Sequence, residues 1–203
     1  MKKQFTLVML ILFCITTFAQ RPQGRPTGRQ GARTELPLEG TTFYLRNVMA
    51  NKYIDLPGSD TDSRSRENGA NVQLWNMDGG NDRKVRFIPA SDGWYHIRFQ
   101  HANVQMDVDG CFSSNRFCRN YKKDDGANIQ IWSSGSSEPQ QWRIEQIRPG
   151  QFRIKNRKSG RYLDASLSNI HRNGANVTQR NWNGGENQLW ELVCVTTGTR
   201  YQE

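Results

Sequence analysis

The sequence predicts an all-β domain made of three copies of one unit, and three observations carry that prediction. A Gly-Ala-Asn segment recurs: Gly69, Ala70, Asn71, Val72, Gln73, Leu74 and Trp75 return as Gly126, Ala127, Asn128, Ile129, Gln130, Ile131 and Trp132, and in part as Gly174, Ala175, Asn176 and Val177. Alternating apolar stretches precede each copy, opening at Phe43, Tyr95 and Phe152 with Leu45, Ile97 and Ile154 two residues on, which is the period of a half-buried strand. The offsets are constant as well: Asp55, Asp107 and Asp164 each stand twelve residues after an opening, and Phe87, Ile144 and Leu192 each stand eighteen residues after the glycine. Self-similarity at a fixed period marks a repeat architecture.

In chain order, residues 1–19 have the layout of a secretory signal peptide, with Lys2 and Lys3 ahead of an apolar run from Phe5 to Phe18, then Thr17 and Ala19 before a cut at Gln20. The run is too short to span a bilayer, so no transmembrane segment is expected. A lipid anchor at Cys14 would need small residues before it, where Leu12 and Phe13 stand. Residues 20–37 are rich in Arg, Gly, Pro and Gln with almost nothing apolar to bury, the composition of a disordered basic linker. The net charge of +9 gathers partly in these two segments; from Leu38 onward 22 basic residues face 18 acidic ones. That balance removes most of the case for a dedicated nucleic-acid binder.

The remaining 38–203 read as one domain, with repeats at about 41–90, 93–147 and 150–195. Each repeat reads as an opening strand, an aspartate in an apolar setting, a turn signal (Asn68-Gly69, Asp125-Gly126, Asn173-Gly174), the Gly-Ala-Asn segment, and a closing strand end at Phe87, Ile144 or Leu192. All length variation falls between the aspartate and the turn, where surface insertions cost little. The second repeat is longest there and carries Cys111 and Cys118, close enough in sequence to bond in an oxidising compartment and staple the enlarged loop. Cys194, between Val193 and Val195, reads as a buried thiol. Cysteines spaced this way without histidine partners make a poor metal site, and neither metal nor cofactor is expected.

Two Gln-x-Trp segments close repeats, Gln140-Gln141-Trp142 and Gln188-Leu189-Trp190, while Arg83-Lys84-Val85 stand there in the first. With the Gly-Ala-Asn-Val-Gln-Leu-Trp segment, this unit resembles the repeats of ricin B-chain-like lectins, from about Thr41 to Val195. The resemblance implies a β-trefoil with a threefold pseudo-axis and a non-catalytic carbohydrate-binding function with glycans as partners. Trp142 and Trp190 are then core residues. A sugar offers hydroxyls to a carboxylate or amide and a C–H face to an aromatic platform. By resemblance the first repeat supplies Asp55 and Trp75, with Asp82 and Arg83 in place of an Asn-Gln pair. The second supplies Asp107, Trp132 and Gln140, with Pro139 in place of the asparagine. The third supplies Asp164, Asn187 and Gln188, has Arg180 at the platform position and Trp182 two residues on as its substitute, and holds the most complete hydrogen-bonding set.

Three other readings stand beside this one. Arg153, Lys155, Arg157, Lys158 and Arg161 form a basic set that with the arm would bind anionic glycans or nucleic acid in a salt-dependent way. Trefoils of this broad group also resemble protease inhibitors and other protein-interaction modules. An enzyme is not expected: His96, His101 and His171 share no motif with a nucleophile, no phosphate loop or zinc signature is present, and a glycosidase pair would need two repeated aspartates that pseudo-symmetry holds apart.

Overall fold

The computed structural model describes residues 38–58, 62–110 and 124–201. The signal peptide, the linker, and Cys111 with Cys118 lie outside the described residues. Among the described residues twelve strands follow in chain order, four to a repeat. In the first repeat they are β1 (Thr42–Asn47), β2 (Lys52–Asp55), β3 (Gln73–Trp75) and β4 (Lys84–Pro89). The second has β5 (Tyr95–Phe99), β6 (Val104–Val108), β7 (Ile129–Ser133) and β8 (Trp142–Arg148), and the third has β9 (Gln151–Asn156), β10 (Tyr162–Ala165), β11 (Ala175–Arg180) and β12 (Trp190–Cys194).

The first and last strands of the repeats close a six-membered ring of antiparallel pairs, β1–β4–β5–β8–β9–β12 and back to β1. The middle strands form three hairpins, β2–β3, β6–β7 and β10–β11. This is a β-trefoil: a barrel capped by three hairpins, with no sheet edge left open around the ring. Sequence alternation sets which side chains fill it. In β1 and β9 the residues alternate outward and inward in the same pattern, so that Phe43, Leu45 and Asn47 match Phe152, Ile154 and Asn156. Val85, Phe87, Ile97, Ile144, Leu192 and the two closing tryptophans join them in one continuous core.

Trp142 and Trp190 are fully buried, and each donates its indole N–H to a hairpin carbonyl, Met106 O at 3.2 Å and Leu163 O at 3.1 Å. They therefore tie barrel to cap while satisfying a buried polar atom. Cys194 is a buried thiol in β12.

The repeated Gly-Ala-Asn segment closes the cap on its axis. Asn71 Nδ2 donates to Asn176 Oδ1 at 3.0 Å, Asn176 Nδ2 to Asn128 Oδ1 at 2.9 Å, and Asn128 Nδ2 to Asn71 Oδ1 at 2.9 Å. One asparagine from each repeat thus donates to one neighbour and accepts from the other in a cyclic triangle. Gly69, Gly126 and Gly174 precede it with φ of 90°, 85° and 83°, a left-handed conformation in which glycine carries no Cβ penalty. That accounts for the glycine at this place in every copy.

Candidate functional site

Each aspartate lies on the second strand of its repeat, and the antiparallel register decides what shares its face. Asp55 faces Gln73 and, two residues earlier, Tyr53 faces Trp75. Asp107 faces Gln130 and Gln105 faces Trp132. Asp164 faces Thr178 and Tyr162 faces Arg180. Because side chains two apart on a strand share a face, each hairpin presents an aspartate beside a larger residue, tryptophan in two repeats and arginine in the third. Gln73, Tyr53 and Tyr162 thereby join the candidate residues. The signal for them was strand alternation, since both tyrosines stand two residues before their aspartate.

In the first repeat a pocket of about 420 Å³ is lined by Asp55, Pro57, Gly58, Gln73, Trp75, Asp78 and Arg83. Gln73 Nε2 donates to Asp55 Oδ2 at 2.7 Å, and Arg83 Nη2 stands 3.0 Å from Asp55 Oδ1 without the alignment of a hydrogen bond. The buried Arg83 guanidinium also pairs with Asp82 at 2.8 Å and with Asp78. Burial pushes the Asp55 carboxyl up to about 7, against the lowering effects of the Gln73 donor and Arg83. Neighbouring Asp82 and Asp78 add to the rise. Trp75 is half-buried, open enough to serve as a platform.

In the second repeat Asp107 is buried and Trp132 half-buried. Gln140 is buried and held inside the protein, accepting from Gln105 Nε2 at 2.6 Å and donating to Ser133 O at 3.2 Å. In the third repeat Asn187 Nδ2 donates to Asp164 Oδ2 at 2.8 Å, and the Arg180 guanidinium lies 3.8 Å from Asp164 Oδ1. Burial raises the Asp164 carboxyl, opposed by the nearby polar side chains of Gln188, Asn187 and Thr178, of which Asn187 is the hydrogen-bond donor, and by the Arg180 charge. Gln188 is fully buried, donating to Asn181 O and accepting from the Asn183 N–H, both at 2.9 Å. Gln140 and Gln188 thus hold loops, and Asn187 orients a carboxylate. Trp182 packs against Tyr162, ring centroids 5.5 Å apart and planes tilted at 59°, and does not take the cross-strand place that Arg180 fills.

Much of the basic set is balanced locally. Arg153 pairs with Glu145 at 2.7 Å, Lys158 with Glu138 at 3.2 Å and Arg161 with Asp125 at 2.6 Å. Arg157 bonds Gln141 Oε1 at 2.6 Å and lies over Trp94, which Arg143 covers at 4.2 Å. Among the described residues no group of three or more His, Cys, Asp and Glu could hold a metal, and no helix is long and apolar enough to cross a membrane.

A family model described as ricin-type beta-trefoil lectin domain-like matches residues 33–116, 118–179 and 139–202. Among solved structures, the designed threefold-symmetric protein ThreeFoil is 30% identical with a TM-score of 0.63, covering 74% of this chain and 96% of its own. A ricin B-like lectin from Macrolepiota procera, solved in complex with lactose, is 19% identical with a TM-score of 0.58, covering 75% of this chain and 94% of its own. An exo-beta-1,3-galactanase from Clostridium thermocellum is 22% identical with a TM-score of 0.64; the likeness covers 77% of this chain and 30% of that enzyme. No curated protein matches in sequence.

Proposed function

The chain belongs to the ricin-type β-trefoil lectin domain-like family, and on that footing we propose that it is an exported, non-catalytic protein that binds glycans through its hairpin faces. The observation that carries this reading is the first-repeat pocket, where Asp55, Gln73 and Trp75 share one face over about 420 Å³. Sugar hydroxyls donate to the carboxylate, Gln73 and Arg83 fix its orientation, and Trp75 stacks on the C–H face of the ring. The volume suits one or two sugar rings within the range of small-ligand sites. Trp132 beside Asp107, and Tyr162 with Trp182 beside Asp164, are the corresponding elements of the other two faces. Asp82, Gln140, Asn187 and Gln188 position loops and carboxylates from beneath.

Non-catalysis is supported by the placement of the carboxylates: each repeated aspartate sits in its own hairpin, paired with residues of its own repeat. The neighbouring Asp78 and Asp82 are both tied to Arg83. Export rests on the N-terminal segment alone. The direct test is titration with galactose, lactose and other simple sugars, read on the indole N–H resonances of the wild type, Asp55→Asn and Trp75→Ala. Saturable shifts of the Trp75 resonance at millimolar sugar, lost in Asp55→Asn, support the reading; no shift with any sugar overturns it.

A further inference from the structure

We propose that the third repeat takes an acidic sugar, one bearing a carboxylate or sulfate on its ring, in a site that extends from Asp164 along the outer faces of β10 and β9. The proposal rests on the glycan-binding reading and adds a substrate class to one of its faces. On β9 the outward residues are Gln151, Arg153 and Lys155, since Phe152, Ile154 and Asn156 are buried. Lys155 is the cross-strand partner of Tyr162 on β10. The Arg153 guanidinium lies 4.8 Å from the Tyr162 ring centroid and 5.0 Å from that of Trp182, and Lys155 Nζ lies 5.7 Å from Tyr162. Tyr162 in turn shares the face of Asp164 and stands opposite Arg180. A continuous strip therefore runs from the aspartate past Arg180 and Tyr162 to Trp182, Arg153 and Lys155.

Among the described residues, only the third repeat combines two cations with two rings at these places. At the places of Arg153 and Lys155 the first repeat has Tyr44 and Arg46, one cation instead of two; Arg46 is bound to Glu191 as Arg153 is to Glu145, so Lys155 is the cation that the third repeat adds. The second has His96 and Arg98, with Arg98 opposite Gln105. The charge contrast with the first site is direct, because there Asp55, Asp78 and Asp82 surround one arginine. In the third, no carboxylate pairs with Lys155 among the described residues, and the half-exposed Arg180 has only the buried Asp164 and the already paired Asp125 near it. A pyranose packed against the tilted Tyr162–Trp182 pair would place a carboxylate or sulfate beside Lys155 and Arg153, in charge-assisted hydrogen bonds. The next sugar along the chain would offer its hydroxyls to Asp164. Nucleic acid fits less well, since a strand needs a continuous basic track and Glu145 and Asp125 interrupt this one.

The test uses the full chain, with the indole N–H resonances of Trp75 and Trp182 reporting the first and third sites separately. The probes are a galacturonate trimer, a sulfated galactan trimer, a neutral galactan trimer and a short oligodeoxynucleotide, each at low and high salt. The expected result is that one or both acidic trimers shift Trp182 with an affinity about tenfold above the neutral trimer, corresponding to one or two charge-assisted contacts, and that salt narrows the gap. A response to one acidic trimer alone identifies the group as carboxylate or sulfate, and a response to both shows that the site reads the charge. The double variant Arg153→Gln/Lys155→Gln should lose the preference, and a further variant adding Glu145→Gln, which leaves no carboxylate without its partner, should behave alike. Equal affinity for acidic and neutral trimers, a preference that survives in both variants, or tighter binding of the oligonucleotide overturns the proposal. Neutral binding at Trp75 without any acidic preference sinks this inference and leaves the glycan-binding reading standing, whereas no binding of any trimer sinks both.

Discussion

Replacing one asparagine of the axial triangle with alanine should destabilise the domain by about 2 kcal/mol, and the way such losses combine tests the ring more sharply than their size. Each asparagine makes two of the three bonds, and a typical intramolecular hydrogen bond contributes about 1 kcal/mol. Asn71→Ala therefore removes two bonds. A second substitution, Asn128→Ala, removes only the one that remains, and Asn176→Ala after that removes none. On the bond count the single, double and triple variants should lose about 2, 3 and 3 kcal/mol. Any of the three singles should give the same value, because the triangle is symmetric. Urea denaturation of the set, with the slope of the transition unchanged, reads these differences. Losses that simply add from single to double to triple would show that each side chain acts alone, and would refute the ring as a cooperative unit.

The titration of Asp55 gives a second prediction. Its carboxyl is raised by burial to about 7 in the folded state, so it is protonated there over a range where an ordinary carboxyl is already ionised. Its contribution to stability is full below the unfolded value, near 4, and is lost as pH rises to about 7. Asp55→Asn should gain stability relative to the wild type across that rise and level off above it, measured by denaturation from pH 4 to 8. Sugar binding at Trp75 should run the other way, strengthening as pH rises through 7, since the ionised carboxylate is the better acceptor for hydroxyls; a binding curve flat from pH 5 to 8 would exclude Asp55 as the contact. Trp190→Phe should cost roughly 2 kcal/mol or more, because it orphans Leu163 O and leaves space in the core, while sugar titration of Trp75 stays as in the wild type. Trp75→Ala should leave the denaturation midpoint nearly unchanged and abolish binding at the first face.

The architecture was legible because the sequence is periodic. Offsets of twelve and eighteen residues located the opening strands, the aspartates and the closing strands in all three copies, and the buried closing tryptophans followed from the family resemblance. The site was legible only along the chain. Asp55, Trp75, Asp107, Trp132 and Asp164 lie on the hairpin faces; Tyr53 and Tyr162 follow from alternation, two residues before their aspartates, but the partners they face, Trp75 and Arg180, come from cross-strand register, which no single segment encodes. The same limit explains the basic set: Arg153, Lys158 and Arg161 read as one positive run, yet their partners Glu145, Glu138 and Asp125 arrive from the second repeat. Gln140 and Gln188 read as polar contacts, and their burial depends on loops folding over them. In sequence the Gly-Ala-Asn segment shows only as a repeat after a turn signal; its asparagine acquires a role only when three copies meet on an axis.

The central claim is that the hairpin faces bind glycans through their aspartates, and a glycan-array screen at two salt concentrations tests it most directly. The wild type is compared with Asp55→Asn/Asp107→Asn/Asp164→Asn, shown to be folded by its denaturation curve. The expected result is binding of neutral glycans that survives high salt and disappears in the triple variant. Binding confined to anionic glycans, abolished by salt and unchanged in the triple variant, would contradict it and move recognition to the basic residues.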